Sequence, residues 1–533
     1  MRLYSGLIGL TATTALSLVI GLAVAPSGFA DEGASPAPVG SSSATPEPDA
    51  PADVDDPADV EDPTAAAQEA LAEIEELLTE TGTQAEAVEV TTALATLSAQ
   101  VGELPRAERA AAQRLLARPT DPNASTKLLR YPADATIFTT CGAQFCLHWT
   151  ETTQHRPPGS DGNGATVPAW VQTTQQVLES SWSKIVGDLG YRRPDGDGTR
   201  GNPAGVNRTN LVDVYLGNIG RKGMYGYATL DGAGAHQPGY LVLDNDFAEF
   251  ERPALESLKV TAAHEFFHLV QFGYLRTADA WLMEATATWI EEVVHDAVND
   301  NRQYLAMSSL RRPRTSLDEF SYAAYGNWVF FEFLSKRYGR DVVKKLWVRL
   351  SRNKTTGLQA IERTLKARRG SLATEFLRFA TASNAPQRFY SEGSAYPKAH
   401  VTRTVRIGTG RRSAAPASTR LNHLTSVNHA FVPQGRLNTT WRLRVAVNTP
   451  SKDVRARVLV HRKNGSVKER TITIRKGRGS ARVAFNTTNV RKVTVTLANT
   501  SHAFRCRTGT RWTCQGTPLK DRQAVTLRAN LVR

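Results

Sequence analysis

The stretch Val260-Thr-Ala-Ala-His264-Glu265-Phe266-Phe267-His268-Leu269-Val270-Gln271 limits the fold more than any other part of the chain. Residues four apart stack one above the other on an α-helix, so His264 and His268 share a face and can aim at one ion. Around them Val260, Ala262, Ala263, Phe266, Phe267, Leu269 and Val270 leave the helix without a polar side. A helix apolar nearly all round is a buried helix, and its polar side chains need partners to offset the cost of leaving water. Zinc is such a partner for a His-Glu-x-x-His arrangement, with Glu265 beside it to accept a proton from water. Gly273 reads as the helix stop.

A third ligand follows. Trp281-Leu-Met-Glu284-Ala-Thr-Ala-Thr288-Trp289-Ile-Glu291-Glu292 has the pattern of a second amphipathic helix, and residues 274–280 become the turn that folds it back antiparallel. Catalytic zinc takes three protein ligands and a water, so His264, His268 and Glu284 give a complete open site. Glu291 and Glu292 remain alternatives for the third position. Thr288, one turn beyond Glu284, is either a hydrogen-bonding support for a ligand or a core threonine.

His-Glu-x-x-His with a downstream glutamate resembles the gluzincin metallopeptidases, and Trp-Leu-x-Glu-x-x-Ala-Thr-Trp-Ile-Glu is similar to the third-ligand helix of zinc aminopeptidases in that clan. With Phe145-Cys146-Leu-His148-Trp149 and Asp213-Val-Tyr-Leu216 included, residues 126–395 resemble a sparsely characterised group of secreted bacterial proteins taken to be zinc metallopeptidases. The resemblance implies an α+β domain with mixed strands and helices before the zinc helices and helices after them. It also implies one catalytic Zn²⁺ and a phenol that donates to the oxyanion. Tyr325-Gly326 fits the family's downstream element better than Tyr322 does. Strands just before the zinc helix would form the upper wall of the cleft, where an extended peptide adds as a further strand. Two departures stand out. Fifteen residues separate His268 from Glu284, fewer than in better-known gluzincins, and no Gly-x-Met-Glu-Asn stretch precedes the metal helix. The amine-gripping glutamate of the aminopeptidases is therefore missing, which points to an endopeptidase.

The rest of the chain divides by composition. Residues 1–30 read as a signal peptide: Arg2, an apolar run from Leu7 to Val24, then Gly28-Phe-Ala30. Residues 31–63 are Pro, Ala, Asp and Ser with too little apolar surface to bury, hence an acidic disordered linker. Residues 64–125 regain helical periodicity, with Leu71, Ile74, Leu77 and Leu78 in one stripe and Leu94, Leu97, Val101 and Leu104 in another. Between Asp31 and Pro105 there are 18 acids and no Lys or Arg. This acidic helical segment stands where a propeptide that inhibits or assists folding would stand, or where a solvated stalk would. The four cysteines fall into two close pairs, Cys141 with Cys146 and Cys506 with Cys514, which suits local disulfides in an oxidising compartment. Asp161-Gly-Asn163 and Asp195-Gly-Asp197 offer a weak structural Ca²⁺ reading against plain turns.

Within residues 126–395 the sequence predicts a helix over 169–186 and strands at 210–216, 224–229 and 239–243, followed by helices over 324–338, 341–351 and 358–366. From residue 400 onward short runs alternate apolar with cationic residues, as in Trp441-Arg-Leu-Arg-Val-Ala-Val, the pattern of a β-sandwich. Residues 400–533 hold 28 Lys and Arg against 3 Asp and Glu, so the whole-chain net charge of +14 understates the local excess. Such a surface suits anionic polymers of a cell wall. No nucleotide-binding Gly-rich loop, Ser/His nucleophile motif or nucleic-acid-binding fold pattern is present. The chain is thus expected to be a secreted zinc metallopeptidase acting on protein or peptide, with no membrane span after signal removal. A secreted cell-surface binding protein with a structural or weakly active zinc domain is the alternative. Peptidoglycan stem peptides are a further substrate class.

Overall fold

The strands expected at 210–216, 224–229 and 239–243 meet in one sheet with two further strands before them. It comprises β1 (Phe138–Cys141), β2 (Phe145–Trp149), β3 (Val212–Gly217), β4 (Gly226–Leu230) and β5 (Gly239–Asp244), in the order β1-β2-β3-β5-β4. The central strands β2, β3 and β5 are parallel, while β1 and β4 run antiparallel at the two edges. This computed structural model describes residues 62–79, 90–203, 205–206, 208–231, 238–353 and 355–533. The expected signal peptide and all but the end of the acidic linker lie outside those residues.

Period-2 alternation sorts the strand side chains into two layers. Phe145, Leu147, Val214, Leu216, Ala228, Leu241 and Leu243 face one hydrophobic core, shared with the helices that follow. Tyr215, Tyr227, Tyr240 and Val242 face the other way and pack with Leu71, Ile74, Leu94, Leu97 and Leu115. Those last residues come from α1 (Pro63–Leu77), α2 (Thr91–Gln100) and α3 (Arg106–Leu116), so the acidic segment covers one face of the sheet. The opposite face carries α4 (Ala169–Trp182) and α5 (Ala254–Leu275). At Gly226 an added Cβ would lie 2.8 Å from Thr261 Cγ2, so this glycine lets α5 press against β4.

After α5 the chain is helical: α6 (Ala280–His295), α7 (Tyr322–Gly326), α8 (Trp328–Tyr338), α9 (Asp341–Asn353), α10 (Gly357–Lys366) and α11 (Leu372–Ala382). Trp281, Trp289, Trp328 and Trp347 are fully buried among them, and each such side chain contributes about 2–3 kcal/mol or more through the hydrophobic effect. Two sequence expectations fail here. Gly273 does not stop the metal helix, which runs on to Leu275; the Gly273 carbonyl accepts from the Arg192 guanidinium, and the Tyr274 hydroxyl accepts from Arg192 N. The helix expected over 324–338 is two helices parted at Asn327, whose amide accepts from Ser309 N at 2.9 Å and donates to Leu317 O at 2.8 Å.

From residue 400 the chain forms a β-sandwich. Its strands are β6 (Arg403–Ile407), β7 (Ser413–Leu421), β8 (Thr425–Pro433), β9 (Arg442–Asn448), β10 (Val454–Arg462), β11 (Val467–Ile472), β12 (Arg478–Ala484), β13 (Val490–Asn499), a short pair β14 (Phe504–Arg505) and β15 (Thr517–Pro518), and β16 (Gln523–Val532). One sheet has the order β11-β10-β13-β8-β6 and the other β12-β9-β16-β7. The five-stranded sheet meets α11: Asn384 just beyond that helix donates to Asn428 Oδ1 at 2.8 Å and Thr496 Oγ1 at 3.3 Å. Both expected disulfides form, Cys141–Cys146 across the β1–β2 hairpin and Cys506–Cys514 beside the β14–β15 pair. Among the described residues no helix is long and apolar enough to cross a membrane. The chain is thus α+β, with a mixed domain followed by a β-sandwich.

Candidate metal centre

Helix α5 is buried on every side from Ser257 to Gly273 apart from half-buried Lys259, and α6 packs along it. The helical repeat therefore turns His264 and His268 towards α6, where Glu284 meets them. Glu284 Oε2 lies 3.2 Å from His264 Nε2 and 3.6 Å from His268 Nε2. One ligand atom from each of the three residues falls within 4.8 Å of the others. His268 and Glu284 are wholly buried, and Glu265 and His264 are 3% and 6% exposed.

The outward nitrogens are anchored. Gln271 Nε2 donates to Met283 O and Thr286 Oγ1, each at 3.0 Å, so its Oε1 is left to accept from His268 Nδ1 at 2.7 Å. The proton on Nδ1 leaves the Nε2 lone pair of His268 directed at Glu284. His264 Nδ1 is held in the same way by Glu291 Oε1 at 2.7 Å. His268 Nε2 and Glu284 Oε1 are buried with no hydrogen-bond partner among the described residues. Buried polar atoms left unsatisfied are costly, and a cation between these side chains would satisfy both. Two imidazoles and one carboxylate, all buried, match the donor set of a zinc ion.

Electrostatics agree with a site that binds positive charge. Burial alone would raise the Glu284 carboxyl, but the two histidines outweigh it and hold it at about 2. Burial likewise opposes a charge on His264, yet hydrogen bonds to Glu284 and Glu291 raise its pKa well above the usual imidazole value. Burial pushes Glu265 upward, although the histidines pull the other way. It pushes Glu291 up to about 7 against the same pull from His264.

Tyr325, half-buried at the end of α7, stacks on His264 with ring centroids 6.2 Å apart and planes 15° from parallel. Tyr322 is 38% exposed and neighbours Tyr325 at 6.4 Å. Glu292 binds Asn301 and is not among the three clustered ligands. The Thr288 hydroxyl makes no hydrogen bond among the described residues. The supporting role belongs instead to Gln271 and Glu291, which sequence reasoning did not assign. Their signal was there: Gln271 lies three residues after His268, and Glu291 seven after Glu284, on the same helix faces. The Asp161 carboxylate accepts from the backbone of Asn163, Gly164 and Thr166, as a turn residue does. Asp197 pairs with Arg118 at 2.8 Å.

A family described only as a family of unknown function, DUF6055, matches residues 249–392, which contain both helices of the candidate site. No curated protein matches the chain. Among solved structures, the chain is similar to the pre-peptidase C-terminal domain of a collagenase from Bacillus anthracis, at 7% identity, covering 24% of this chain and 94% of that one, with a TM-score of 0.15. It is also similar to BtGH115A, a GH115 4-O-methyl-α-glucuronidase with specificity for decorated arabinogalactans, at 6% identity, covering 52% and 38%, with a TM-score of 0.14. At such scores neither likeness carries an argument.

Proposed function

We propose that the protein is a secreted, gluzincin-like zinc metallopeptidase that hydrolyses peptide bonds as an endopeptidase. The observation that carries the reading is the convergence of His264, His268 and Glu284, with both outward imidazole nitrogens tied back and two inner ligand atoms unsatisfied. A zinc ion held there supplies an electrophilic charge that polarises a carbonyl and lowers the pKa of water towards about 7. Glu265 takes the proton as water adds to the scissile carbonyl and delivers it to the nitrogen as the C–N bond breaks. Burial favours the protonated form of Glu265, which helps it hold that proton between the two steps. Tyr325, beside His264, is the hydroxyl proposed to donate to the oxyanion. Disulfides and the signal-like first thirty residues support export.

The test is a casein digest by wild type and Glu265→Gln, each with and without chelator. Chelator-sensitive hydrolysis that vanishes in the variant, while zinc stays bound, is the expected result. Zinc-loaded wild type that cleaves neither casein nor purified cell wall would remove the peptidase reading and leave the surface-binding alternative. Cleavage of cell wall alone would assign peptidoglycan stem peptides.

The sandwich is proposed to hold the enzyme on anionic polymers. Strands β7, β9, β12 and β16 carry Arg420, Arg442, Arg444, Arg478, Arg482 and Arg528 and no Asp or Glu. Arg444 and Arg482 stand directly opposite each other, both exposed. Like charges so paired weaken a sheet unless an anion lies between them. Retention on isolated cell wall should fall steeply with added salt and with Arg444→Ser/Arg482→Ser. Retention that ignores both would contradict this role.

A further inference from the structure

The acidic helical segment does more than cover a sheet face. Thr91, the first residue of α2, is fully buried. Its hydroxyl donates to Glu265 Oε2 at 3.0 Å and accepts from Ala228 N at 3.1 Å. Ala228 lies on β4, an edge strand of the five-stranded sheet, and α2 packs along that edge. One side chain thus engages both the carboxylate beside the histidines and the free N–H of the strand next to them. Glu265, the carboxylate that Thr91 touches, is 3% exposed.

The cover is fixed at its far end. Arg118, two residues after α3, is 5% exposed and pairs with Asp197, Asp213 and Asp231. The Tyr240 hydroxyl donates to Ala117 O at 2.8 Å. Within α2, Ala95 is 1% exposed and packs into the same core as Phe266 and Phe267 of α5, while Leu94 and Leu97 pack on the sheet side. The helix is wedged between both cores and is not laid on the surface.

We propose that α2 is a built-in plug: in this state of the chain it occupies the place of the incoming main chain at β4, and Thr91 latches it to Glu265. The functional importance of the closure rests on the hydrolase reading above, but its physical test does not. An edge-strand N–H and a proton-accepting carboxylate are the groups that a peptide's carbonyl and the attacking water must reach. With both engaged by Thr91, the site is latent until α2 moves away, by cleavage or by local displacement.

The experiment uses full-length protein stripped of metal and treated with diethyl pyrocarbonate, with modification of each histidine followed by mass spectrometry. Thr91→Val keeps the side-chain shape and removes the latch; Ala95→Glu forces a charge into the wedge. His268, whose Nδ1 is tied to Gln271, should be protected in wild type and react about tenfold faster in Thr91→Val, the change that loss of one buried hydrogen bond brings. The increase should be larger still in Ala95→Glu. If Ala95→Glu does not fold by circular dichroism, Thr91→Val alone decides. Unchanged histidine reactivity in the folded variants would overturn the plug, whatever their activity. Faster modification without any gain in casein hydrolysis by the zinc-loaded variants would leave the plug standing and count against the peptidase reading.

Discussion

His423 joins the two domains through charge. It is 1% exposed, with Nε2 3.1 Å from Asp318 Oδ1 in the metal-site domain and Nδ1 2.7 Å from Asp521 Oδ1 in the sandwich. Burial opposes its charge, but the two carboxylates outweigh burial and raise its pKa from 6.5 to about 9. A folded-state pKa above the unfolded one gives stability that is complete below pH 6.5 and lost as pH rises through about 9. At roughly 1.4 kcal/mol per pH unit the contribution is about 3 kcal/mol. His423→Gln keeps a polar side chain and cannot carry the charge. Urea unfolding of wild type and variant at about pH 6 and about pH 9.5 measures the gap between them, which should narrow by about 2–3 kcal/mol. A gap that stays constant over that range would refute the argument, because both proteins share every other titrating group.

Two other perturbations test neighbouring contacts. Glu291→Gln should weaken zinc binding by about 10- to 100-fold in a chelator competition while the circular dichroism spectrum is unchanged, since Glu291 orients His264 from behind. Asp279→Ala should destabilise the protein by about 2 kcal/mol in thermal unfolding, because it leaves two partly buried N–H groups unpaired. Those donors are Cys514 N and Gly357 N, each 2.6 Å from the Asp279 carboxylate, so the loss would also loosen the sandwich loop from α6.

The helices that carry His264, His268 and Glu284 were legible in the sequence because their information is local. Spacing of four between His264 and His268, and an amphipathic return carrying Glu284, needed only helical geometry. The break at Asn327 was not legible, since it depends on Ser309 and Leu317 from a separate stretch. Strand β8 hid for another reason: nearly all of it is buried on both faces, so it shows no alternation. Strand β7 contains Pro416, tolerated because β7 is an edge strand. The Thr91 latch spans 174 residues, and no periodicity in either segment points to the other. Composition marked the acidic segment as separate, yet its apolar stripes belong to the sheet's second core.

Zinc stoichiometry tests the central claim most directly. Wild type, Glu265→Gln and Glu284→Ala are each loaded with zinc, dialysed against metal-free buffer and analysed by elemental mass spectrometry. The arrangement of His264, His268 and Glu284 requires about one zinc per chain in wild type and in Glu265→Gln, and almost none in Glu284→Ala. A wild type that retains no zinc, or a Glu284→Ala protein that keeps its full complement, would contradict it.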